Sequence, residues 1–416
     1  MTGAEGQAAG DDAAPPSGAG PRAALADRTF RAWFGAQVFS ASGSSTQLIG
    51  MSWLIAHATG SGVALGFLTV AIFVPVLLLG PIAGGLIDRY PRRDLLIGTQ
   101  TAFLLIGAAL AVLAALGDVS LPVVYALALL TGVVNSVDGP ARQVYLVDLV
   151  EPRLIPASIG LYEVVMNASR VLGPAVAGVL LATWGIVPCF VFNAVAFVPA
   201  LIVLLVARPP RHAHAGGTER VGFGHALAWV RGRRDVVAVL ALAVVGGMLF
   251  NLAVTVPLLT TRVFRLDGGA YGILTAVFGA GALVGALRAS AESARPSARQ
   301  SALLAGSTGV FVVLSALAPS VWLFGAGLVV IGFLGIWFIA RANAFVQLAA
   351  PAQLRGRVMS LWNMAIPGMN PVTGLIAGAS ADALGARFGF ALSGALFVAI
   401  GGGCLLAWRA LRSPLG

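Results

Sequence analysis

The sequence contains no lysine, and only 10% of its 416 residues are charged. Because a soluble domain carries about a quarter charged residues, this composition excludes an ordinary soluble globular protein. The missing lysine also excludes a phosphate-binding loop of the P-loop type, which places a lysine on the nucleotide phosphates. The chain therefore does not hydrolyse nucleotides through that motif.

Cysteine is scarce as well, with Cys189 and Cys404 both in or beside apolar runs. We interpret them as small buried apolar residues rather than as a disulfide. His212 and His214 form a pair of possible ligands, but a zinc site needs three or four. The sequence therefore predicts neither a metal site nor a cofactor.

Long apolar runs are abundant instead: 58% of the residues are hydrophobic and the mean hydropathy is +0.91. Runs of about 20 residues are typical of membrane-spanning helices, whereas the strands of a membrane barrel need only about 10. The pattern predicts an all-α membrane protein. Its twelve predicted spans are 31–56, 63–87, 94–117, 121–141, 155–182, 187–206, 236–260, 270–289, 301–318, 321–342, 357–381 and 387–409.

The basic residues are all arginines, and they give a formal net charge of +10. They lie between the apolar runs rather than on one face, which is typical of the excess of basic residues in cytoplasmic loops and not of a nucleic-acid interface. With the N-terminus placed inside, 22 of the 26 arginines fall in predicted cytoplasmic segments and three outside. We therefore predict a multi-pass protein of the plasma membrane with both termini cytoplasmic.

The chain divides into four predicted segments: a disordered cytoplasmic tail at 1–27, a six-helix bundle at 28–206, a cytoplasmic linker at 207–235 and a second six-helix bundle at 236–416. The tail has no apolar core and is not a signal peptide. The end of the linker carries apolar residues among arginines, which fits an interfacial helix as well as it fits a solvated linker. The halves match at an offset of 200 residues, through Leu161 and Leu361, Ala177 and Ala377, Gly178 and Gly378, and Gly185 and Gly385.

The loop between the second and third spans reads GPIAGGLIDRYPRRD, residues 80–94. It resembles the Gly-x-x-x-Asp-Arg-x-x-Arg-Arg signature of the major facilitator superfamily. The resemblance implies twelve helices in two pseudo-symmetric bundles, with the signature acting as a conformational latch. The matching residues and the neighbouring charges assigned to this latch are Gly84, Asp88, Arg89, Arg92, Arg93, Asp138 and Arg142.

In that family the signature carboxylate lies near the start of the eleventh helix, where a helix N-terminus favours negative charge. The signature arginines pair with acids at inner helix ends, for which Asp94, Asp138 and Asp148 are available. The corresponding loop of the second half, GALVGALRAS, has no aspartate. We therefore expect only the first half to form the charged latch fully.

Other stretches resemble one branch of that superfamily, the drug exporters that include macrolide efflux proteins and the enterobactin exporter. They are FRAWFGAQVFSASGSSTQ at 30–47, TGSGVALG at 59–66, DGPARQVYLVDLVEP at 138–152, NASRVLGPAVAG at 167–178 and LRGRVMSLWNM at 354–364. RVLGPAVAG resembles the exporter Gly-Pro motif of the fifth helix, with Gly173, Pro174 and Gly178. Its glycines leave room for a partner helix, and its proline bends the helix, with or without a role in transport.

Two charged residues interrupt the apolar fifth span. Glu163, Asn167 and Arg170 share one helical face over about 10 Å, and a lipid-facing charge at that depth costs at least about 2.5 kcal/mol. The stripe should therefore face the bundle interior or a watery cavity, where Glu163 either carries a proton, neutralises a cationic substrate or simply pairs with Arg170. The further candidates for substrate contact or proton coupling are Gln37, Gln47, Asn251 and Trp362.

These features predict a secondary active transporter and not an enzyme. We expect export of a small amphipathic molecule, such as an antibiotic, a siderophore or another secondary metabolite, by alternating access and proton antiport. Its partners would be the substrate, the proton gradient and the lipid bilayer, and the chain would act as a monomer. The alternatives are an uptake permease of the same fold and, more remotely, a membrane enzyme acting on lipid-linked substrates, although the sequence shows no clustered carboxylates for that chemistry.

Overall fold

The computed structural model describes residues 21–117, 119–151, 154–206, 223–249, 252–351, 353–365 and 367–410. Regular structure in these ranges is entirely helical, which confirms the all-α prediction. A π-helical turn at Leu259–Val263 and a 3-10 turn at Pro367–Met369 accompany the α-helices. The α-helices are α1 (Pro21–Ala24), α2 (Arg28–Thr59), α3 (Gly62–Arg89), α4 (Arg92–Leu116), α5 (Leu121–Asp148), α6 (Ile155–Thr183), α7 (Val187–Ala196), α8 (Val198–Val206), α9 (Phe223–Arg231), α10 (Arg234–Leu249), α11 (Leu252–Leu258), α12 (Gly268–Ala291), α13 (Ala298–Ala316), α14 (Val321–Ala349), α15 (Arg355–Ala365), α16 (Asn370–Leu384) and α17 (Ala386–Ala410).

The first long helix begins earlier than the sequence predicted. Asp27 caps α2, because its carboxylate accepts a hydrogen bond of 2.7 Å from the backbone N–H of Phe30 and so satisfies one free donor of the first turn. Ala24 in α1 is fully buried, and α1 packs against α6. The predicted disordered tail at 1–27 is therefore too long, since residues 21–27 are structured; residues 1–20 lie outside the described part.

Two helices extend seven residues beyond their predicted spans. The fourth span was predicted to end at 141 and the tenth at 342, whereas α5 reaches Asp148 and α14 reaches Ala349. Both predicted spans end within one residue of an arginine, Arg142 and Arg341. The structure buries Arg142 and Arg341 among polar partners, so the helix continues past each of them.

The number of membrane crossings is only partly settled. Eight described helices are long and apolar enough to cross a membrane, and a ninth span would be the bent pair Arg234–Gly247 and Leu252–Val263, with 42° between its parts. The remaining predicted spans, 31–56, 301–318 and 357–381, coincide with α2, with α13 and with the pair α15 and α16, which do not reach the same apolarity and length. The count of twelve stays a prediction.

The helices form two bundles with corresponding packing. In the first, α3 packs on α5, and α4 packs on α5 and α7; in the second, α12 packs on α14, and α13 packs on α14 and α17. The same neighbours thus recur in the same order, as expected for a duplicated unit. The predicted boundaries at 28–206 and 236–416 agree with this division but are not tested by it, because residues 207–222 lie outside the described part.

Two seams join the bundles, one between α3 and α16 and the other between α6 and α12. The two seams correspond to each other: a twofold rotation that exchanges the bundles places α3 on α12 and α16 on α6, so it places one seam on the other. Glycines permit the close approach in both: an added Cβ on Gly62 would lie 2.4 Å from the carbonyl oxygen of Gly378, and one on Gly272 would lie 1.8 Å from the Cα of Gly178. Any side chain at these positions would collide with backbone.

The α3–α16 seam closes at one end of the molecule only. Gly62 and Gly66 at the start of α3 contact the backbone of α16, whereas added Cβ atoms on Gly84 and Gly85, near the end of α3, would meet nothing within 4 Å. We call the end where α3 begins the closed end and the opposite end the open end. In the predicted topology, the open end faces the cytoplasm.

The described end of the linker is helical. Ala226 and Val230 on α9 are buried, and α9 packs against α10 and α15. The guanidinium of Arg233 lies 5.5 Å from the centroid of the Trp229 ring and also pairs with Asp235 at 2.8 Å. One face of α9 is therefore packed against α10 and α15 rather than solvated on all sides, and the choice between an interfacial helix and a solvated linker stays open.

Candidate functional site

The helix that carries the predicted charged stripe is continuous. It is α6, which runs from Ile155 to Thr183 through Pro174. The side chains of Glu163, Asn167 and Arg170 lie outside the described part of the chain. Their place in the protein therefore stays a prediction.

The Gly-Pro motif on α6 brings this helix against two different partners. An added Cβ on Gly173 would lie 2.4 Å from the Cβ of Ser45 on α2, and Thr46 donates a hydrogen bond of 3.0 Å to the carbonyl oxygen of Gly173. Gly178, five residues further on, contacts Gly272 of the other bundle. The motif thus connects α6 to its own bundle and to the α6–α12 seam within a turn and a half, with the buried Pro174 beside Gly173.

Asp138 and Arg142 form the centre of a buried polar cluster in the first bundle. Their side chains are 5% and 7% exposed, and Arg142 Nε lies 2.5 Å from Asp138 Oδ2, an ion contact without the angle of a hydrogen bond. Asp138 Oδ1 accepts hydrogen bonds of 2.7 Å from Thr99 and 2.6 Å from Gln100. We define the first-half cluster as Asp138, Arg142, Gln37, Ser40, Thr99 and Gln100.

Gln37 belongs to this cluster and not to a cavity wall. Its side-chain oxygen accepts a hydrogen bond from Arg142 Nη1, and the residue is 1% exposed. Arg142 also donates to Ser40 at 3.1 Å and to Gln100 at 3.3 Å. In this arrangement Gln37 joins α2 to α5, and its role in substrate contact or coupling stays a prediction.

The signature arginines have other partners than Asp138. Arg92 Nη1 pairs with Asp148 at 2.8 Å, which joins the start of α4 to the end of α5. Arg93 donates to the carbonyl oxygens of Leu204 and Leu205 at 2.6 and 3.0 Å, where the end of α8 favours positive charge. Arg89 and Gly84 are exposed at the open end, and the side chain of Asp88 lies outside the described part of the chain.

The second bundle has a charged cluster of its own, which the sequence did not predict. Glu292 follows the last residue of α12, and its carboxylate accepts hydrogen bonds of 2.7 Å from Gln300 and 3.0 Å from Trp337. Arg288 and Arg341 approach it at 3.5 and 3.7 Å. We define the second-half cluster as Arg288, Glu292, Gln300, Trp337 and Arg341.

This cluster forms without an aspartate in the position equivalent to Asp88, because its acid follows Arg288 by one helical turn. The expectation that only the first half forms the charged latch fully stays a prediction, since the side chain of Asp88 lies outside the described part of the chain. Burial raises the pKa of Glu292, but the hydrogen bonds from Gln300 and Trp337 and the charges of Arg341 and Arg288 outweigh it, so the pKa lies below its usual value. The carboxylate is ionised at neutral pH.

Three further candidates have separate surroundings. Gln47 is buried, with its amide nitrogen 3.4 Å from the hydroxyl of Thr131. Trp362 is 3% exposed within the apolar core, so it does not line an open surface in this arrangement. Asn251 lies outside the described residues.

The closed end holds a polar contact between the bundles that no sequence motif indicated. Asp382, near the end of α16, accepts hydrogen bonds from the hydroxyl of Ser61 at 2.9 Å and from the backbone N–H groups of Gly62 and Val63 at 2.8 and 2.9 Å. Arg262 pairs with Asp382 at 2.7 Å and donates to the carbonyl oxygen of Gly60. The sequence feature that could have indicated this contact is Asp382 itself, a single acid at the end of an apolar run.

Comparison with known proteins agrees with this architecture. A family described as transmembrane secretion effector matches residues 19–412. The staphyloferrin A transporter of Staphylococcus aureus (strain NCTC 8325 / PS 47) is 24% identical over 352 residues, covering 83% of this chain and 88% of that protein. Macrolide efflux protein A of Streptococcus pyogenes is 22% identical over 384 residues, covering 88% of this chain and 93% of that protein.

A solved structure shows the same fold. It is a bacterial homologue of the human lysosomal transporter Spinster, in an inward-facing and unoccupied conformation, with a TM-score of 0.70 and 14% sequence identity over 92% of this chain and 96% of that one. With the family match over residues 19–412, the two bundles and their two seams identify the chain as a member of the transmembrane secretion effector family of major facilitator transporters, multi-pass membrane proteins that move small molecules and are not enzymes.

Proposed function

We propose that this protein exports a small amphipathic molecule across the plasma membrane by alternating access, in exchange for protons. The observation that carries the proposal is the pair of seams: both are packed at the closed end, and the end of α3 that carries Gly84 and Gly85 is free of close contacts at the open end. Two bundles joined in this way expose a central site to one side, and rocking about the seams would expose it to the other.

The direction of transport is supported by two lines of reasoning. The excess of arginine in alternate loops places the open end in the cytoplasm, where an exporter takes up its cargo. Proteins similar to this chain are named for staphyloferrin A transport and for macrolide efflux. Uptake remains the alternative function, and it predicts net movement in the opposite sense.

Proton coupling is assigned to Glu163. A carboxylate held away from water has a raised pKa and can load and release a proton near neutral pH, whereas a nearby arginine opposes that shift. The inner latch is assigned to the signature: when the open end closes, Asp88 would approach the start of α15, where a helix N-terminus stabilises negative charge. Gly84 leaves space on α3 for the approach of the neighbouring helix when the open end closes.

Transport by the purified protein in liposomes tests this proposal. The probes are a radiolabelled macrolide and the amphipathic cation ethidium, each measured with and without an imposed proton gradient. We expect movement against the probe gradient that stops when a protonophore collapses the proton gradient. Movement that persists after collapse would remove proton antiport, and net movement only with the opposite gradient would favour uptake.

Glu163→Gln isolates the coupling residue. We expect it to abolish gradient-driven movement while leaving exchange of labelled for unlabelled probe, because exchange needs no net proton transfer. Glu151→Gln is the matched control, since Glu151 is an exposed acid between α5 and α6. Unchanged gradient-driven movement in Glu163→Gln would assign coupling to another residue.

A further inference from the structure

The corner between α2 and α3 is held by two side chains of the other bundle. Arg262 comes from the π-helical turn after α11 and Asp382 from α16. Arg262 donates to the carbonyl oxygen of Gly60, the C-cap of α2, while Asp382 accepts from Gly62 and Val63, the first residues of α3. Each charge therefore meets one helix end, and the two charges also pair with each other.

The signs of these charges match the helix ends they contact. The C-terminus of a helix carries partial negative charge and its N-terminus partial positive charge. Arg262 lies at the C-terminus of α2 and Asp382 at the N-terminus of α3, so both contacts are favourable. Charge-assisted hydrogen bonds of this kind are about twice as strong as neutral ones.

Among the described residues, this contact occurs in one of the two seams. At the offset of 200 residues that relates the bundles, Asp382 corresponds to Ala182, whose methyl group packs against Gly269 at the start of α12. That helix takes its cap from its own bundle, because Asp267 accepts a hydrogen bond of 3.0 Å from Ala270. One seam is thus held by charge between bundles and the other by close apolar packing.

We propose that Arg262 and Asp382 form an outer latch that holds the closed end together and sets the balance between the two states of the transporter. The latch mirrors the contact assigned to Asp88: an acid of α16 at the start of α3 holds the closed end, and an acid of α3 at the start of α15 would hold the other end. The two acids therefore oppose each other. The inference rests on the alternating-access part of the proposed function but does not depend on the cargo or on the coupling ion.

Asp382 acts as a fixed charge and not as a proton carrier. Partial burial raises its pKa, but the hydrogen bonds from Gly62, Val63, Arg262 and Ser61 outweigh this, so the pKa lies well below its usual value. The groups that face it are these four residues, and they come from α3, from the corner before it and from the turn after α11. The latch therefore keeps its charge throughout the physiological pH range.

Distances between spin labels measure the latch directly, without any cargo. The closed-end pair is Ala58→Cys with Leu384→Cys and the open-end pair is Gln143→Cys with Leu348→Cys, all at exposed positions, in a background carrying Cys189→Ala and Cys404→Ser. We expect Asp382→Ala to lengthen the closed-end distance and shorten the open-end distance, with a change of roughly tenfold or more in the ratio of the two states. Asp382→Asn, which keeps one acceptor, should give a smaller change of the same sign and serves if Asp382→Ala does not fold.

Three further variants distinguish the latch from a general loss of stability and from an ion pair that acts alone. Asp267→Ala removes a helix cap at the same end but within one bundle, so it should lower thermal stability without changing either distance. Asp88→Asn should shift the states in the opposite direction and restore the balance in combination with Asp382→Asn. The exchange Arg262→Asp with Asp382→Arg keeps the ion pair but reverses both contacts with the helix ends, so we expect no recovery.

Two results would overturn the latch: unchanged distances in both Asp382 variants, or an equal shift in Asp267→Ala. Recovery in the charge-exchanged variant would show that the ion pair alone acts and would overturn the role of the helix ends. Because these distances are measured on protein without substrate, a failure of transport in liposomes leaves the result intact. Shifted distances in the Asp382 variants together with normal transport would still support the latch, because the two measurements are independent.

Discussion

The first-half and second-half clusters each contain an arginine and a glutamine at corresponding positions, but their acids lie at different positions. Arg142 and Arg341 lie at corresponding places on α5 and α14, and Gln100 and Gln300 on α4 and α13. In the first-half cluster the acid is Asp138, one turn before Arg142 on the same helix, whereas in the second-half cluster it is Glu292, after the end of α12. The acid side chains are 5% and 13% exposed.

This difference gives the clusters different mechanical roles. Asp138 and Arg142 are buried among three helices, so the first-half cluster fixes α2, α4 and α5 to one another. Glu292 instead attaches the segment between α12 and α13 to α14, because Arg341 also donates to the backbone oxygens of Glu292 and Ala294. A duplicated unit has thus retained its cation and amide while the position of the anion has changed.

Replacing the arginines should give the largest difference in stability between the two clusters. Arg142→Met leaves Asp138 buried without its counter-ion, which costs about 3–5 kcal/mol of folding free energy. Arg341→Met should cost only about 1–3 kcal/mol, since Glu292 is nearer to solvent and keeps Gln300 and Trp337. Thermal unfolding in detergent, followed with a thiol-reactive dye that reports exposure of the buried Cys189, measures both.

A matched control tests whether the buried charge causes the larger loss. Asp138→Asn combined with Arg142→Met removes both charges and should recover part of the stability lost in Arg142→Met alone. Equal losses in Arg142→Met and Arg341→Met would show that the clusters do not differ in burial of charge as described.

Replacing the glutamines should cost less stability than replacing the arginines, again with the larger loss in the first-half cluster. Gln100→Leu removes hydrogen bonds to Asp138 and from Arg142, and we expect a loss of about 1–2 kcal/mol. Gln300→Leu removes the corresponding bonds to Glu292 and from Arg341 at a less buried position, where water compensates part of the loss. The same unfolding measurement should place Gln100→Leu below Gln300→Leu in stability, and the reverse order would contradict the comparison.

The smallest effect is the pH dependence of the second-half cluster. The pKa of Glu292 is lowered in the folded protein, so its stabilising contribution is present above the unfolded pKa of about 4.3 and is lost as the pH falls through the lower folded value. Wild type and Glu292→Gln should therefore differ by about 1 kcal/mol at pH 7 and converge as the pH falls through the lowered folded pKa of Glu292. A difference that grows on acidification would mean that the pKa is raised instead.

Local features of the chain predicted the fold class well. Long apolar runs predicted helices, and every predicted span coincides at least in part with a helix. The signature around Asp88 and the Gly-Pro motif on α6 predicted the superfamily, which the family match confirms. These predictions succeeded because hydropathy and close helix contacts depend on residues near each other in the chain.

The candidate site was less predictable. Gln37 was predicted as a candidate for substrate contact or proton coupling because it is a polar residue in an apolar span, but its hydrogen-bond partner Arg142, which lies 105 positions away, was not predicted. Glu292 was not predicted because the acid of the second half was expected at the position equivalent to Asp88, whereas a cluster needs only an acid within reach of its arginine. Polarity inside a membrane helix indicates that a partner exists but does not identify it.

The sequence by itself determined that this chain is helical, lies in a membrane and resembles a duplicated transporter, because these properties follow from composition, period and short motifs. Only the tertiary structure decided that the bundles pack together at one end and that Glu292 provides the acid of the second-half cluster. It also decided that Arg262 and Asp382 contact the corner between α2 and α3 of the other bundle. The physical reason is that a charge is stabilised by whatever the fold brings within about 3 Å of it. For Asp382 those partners are Arg262 and residues 61–63, which lie more than 100 positions away in the chain.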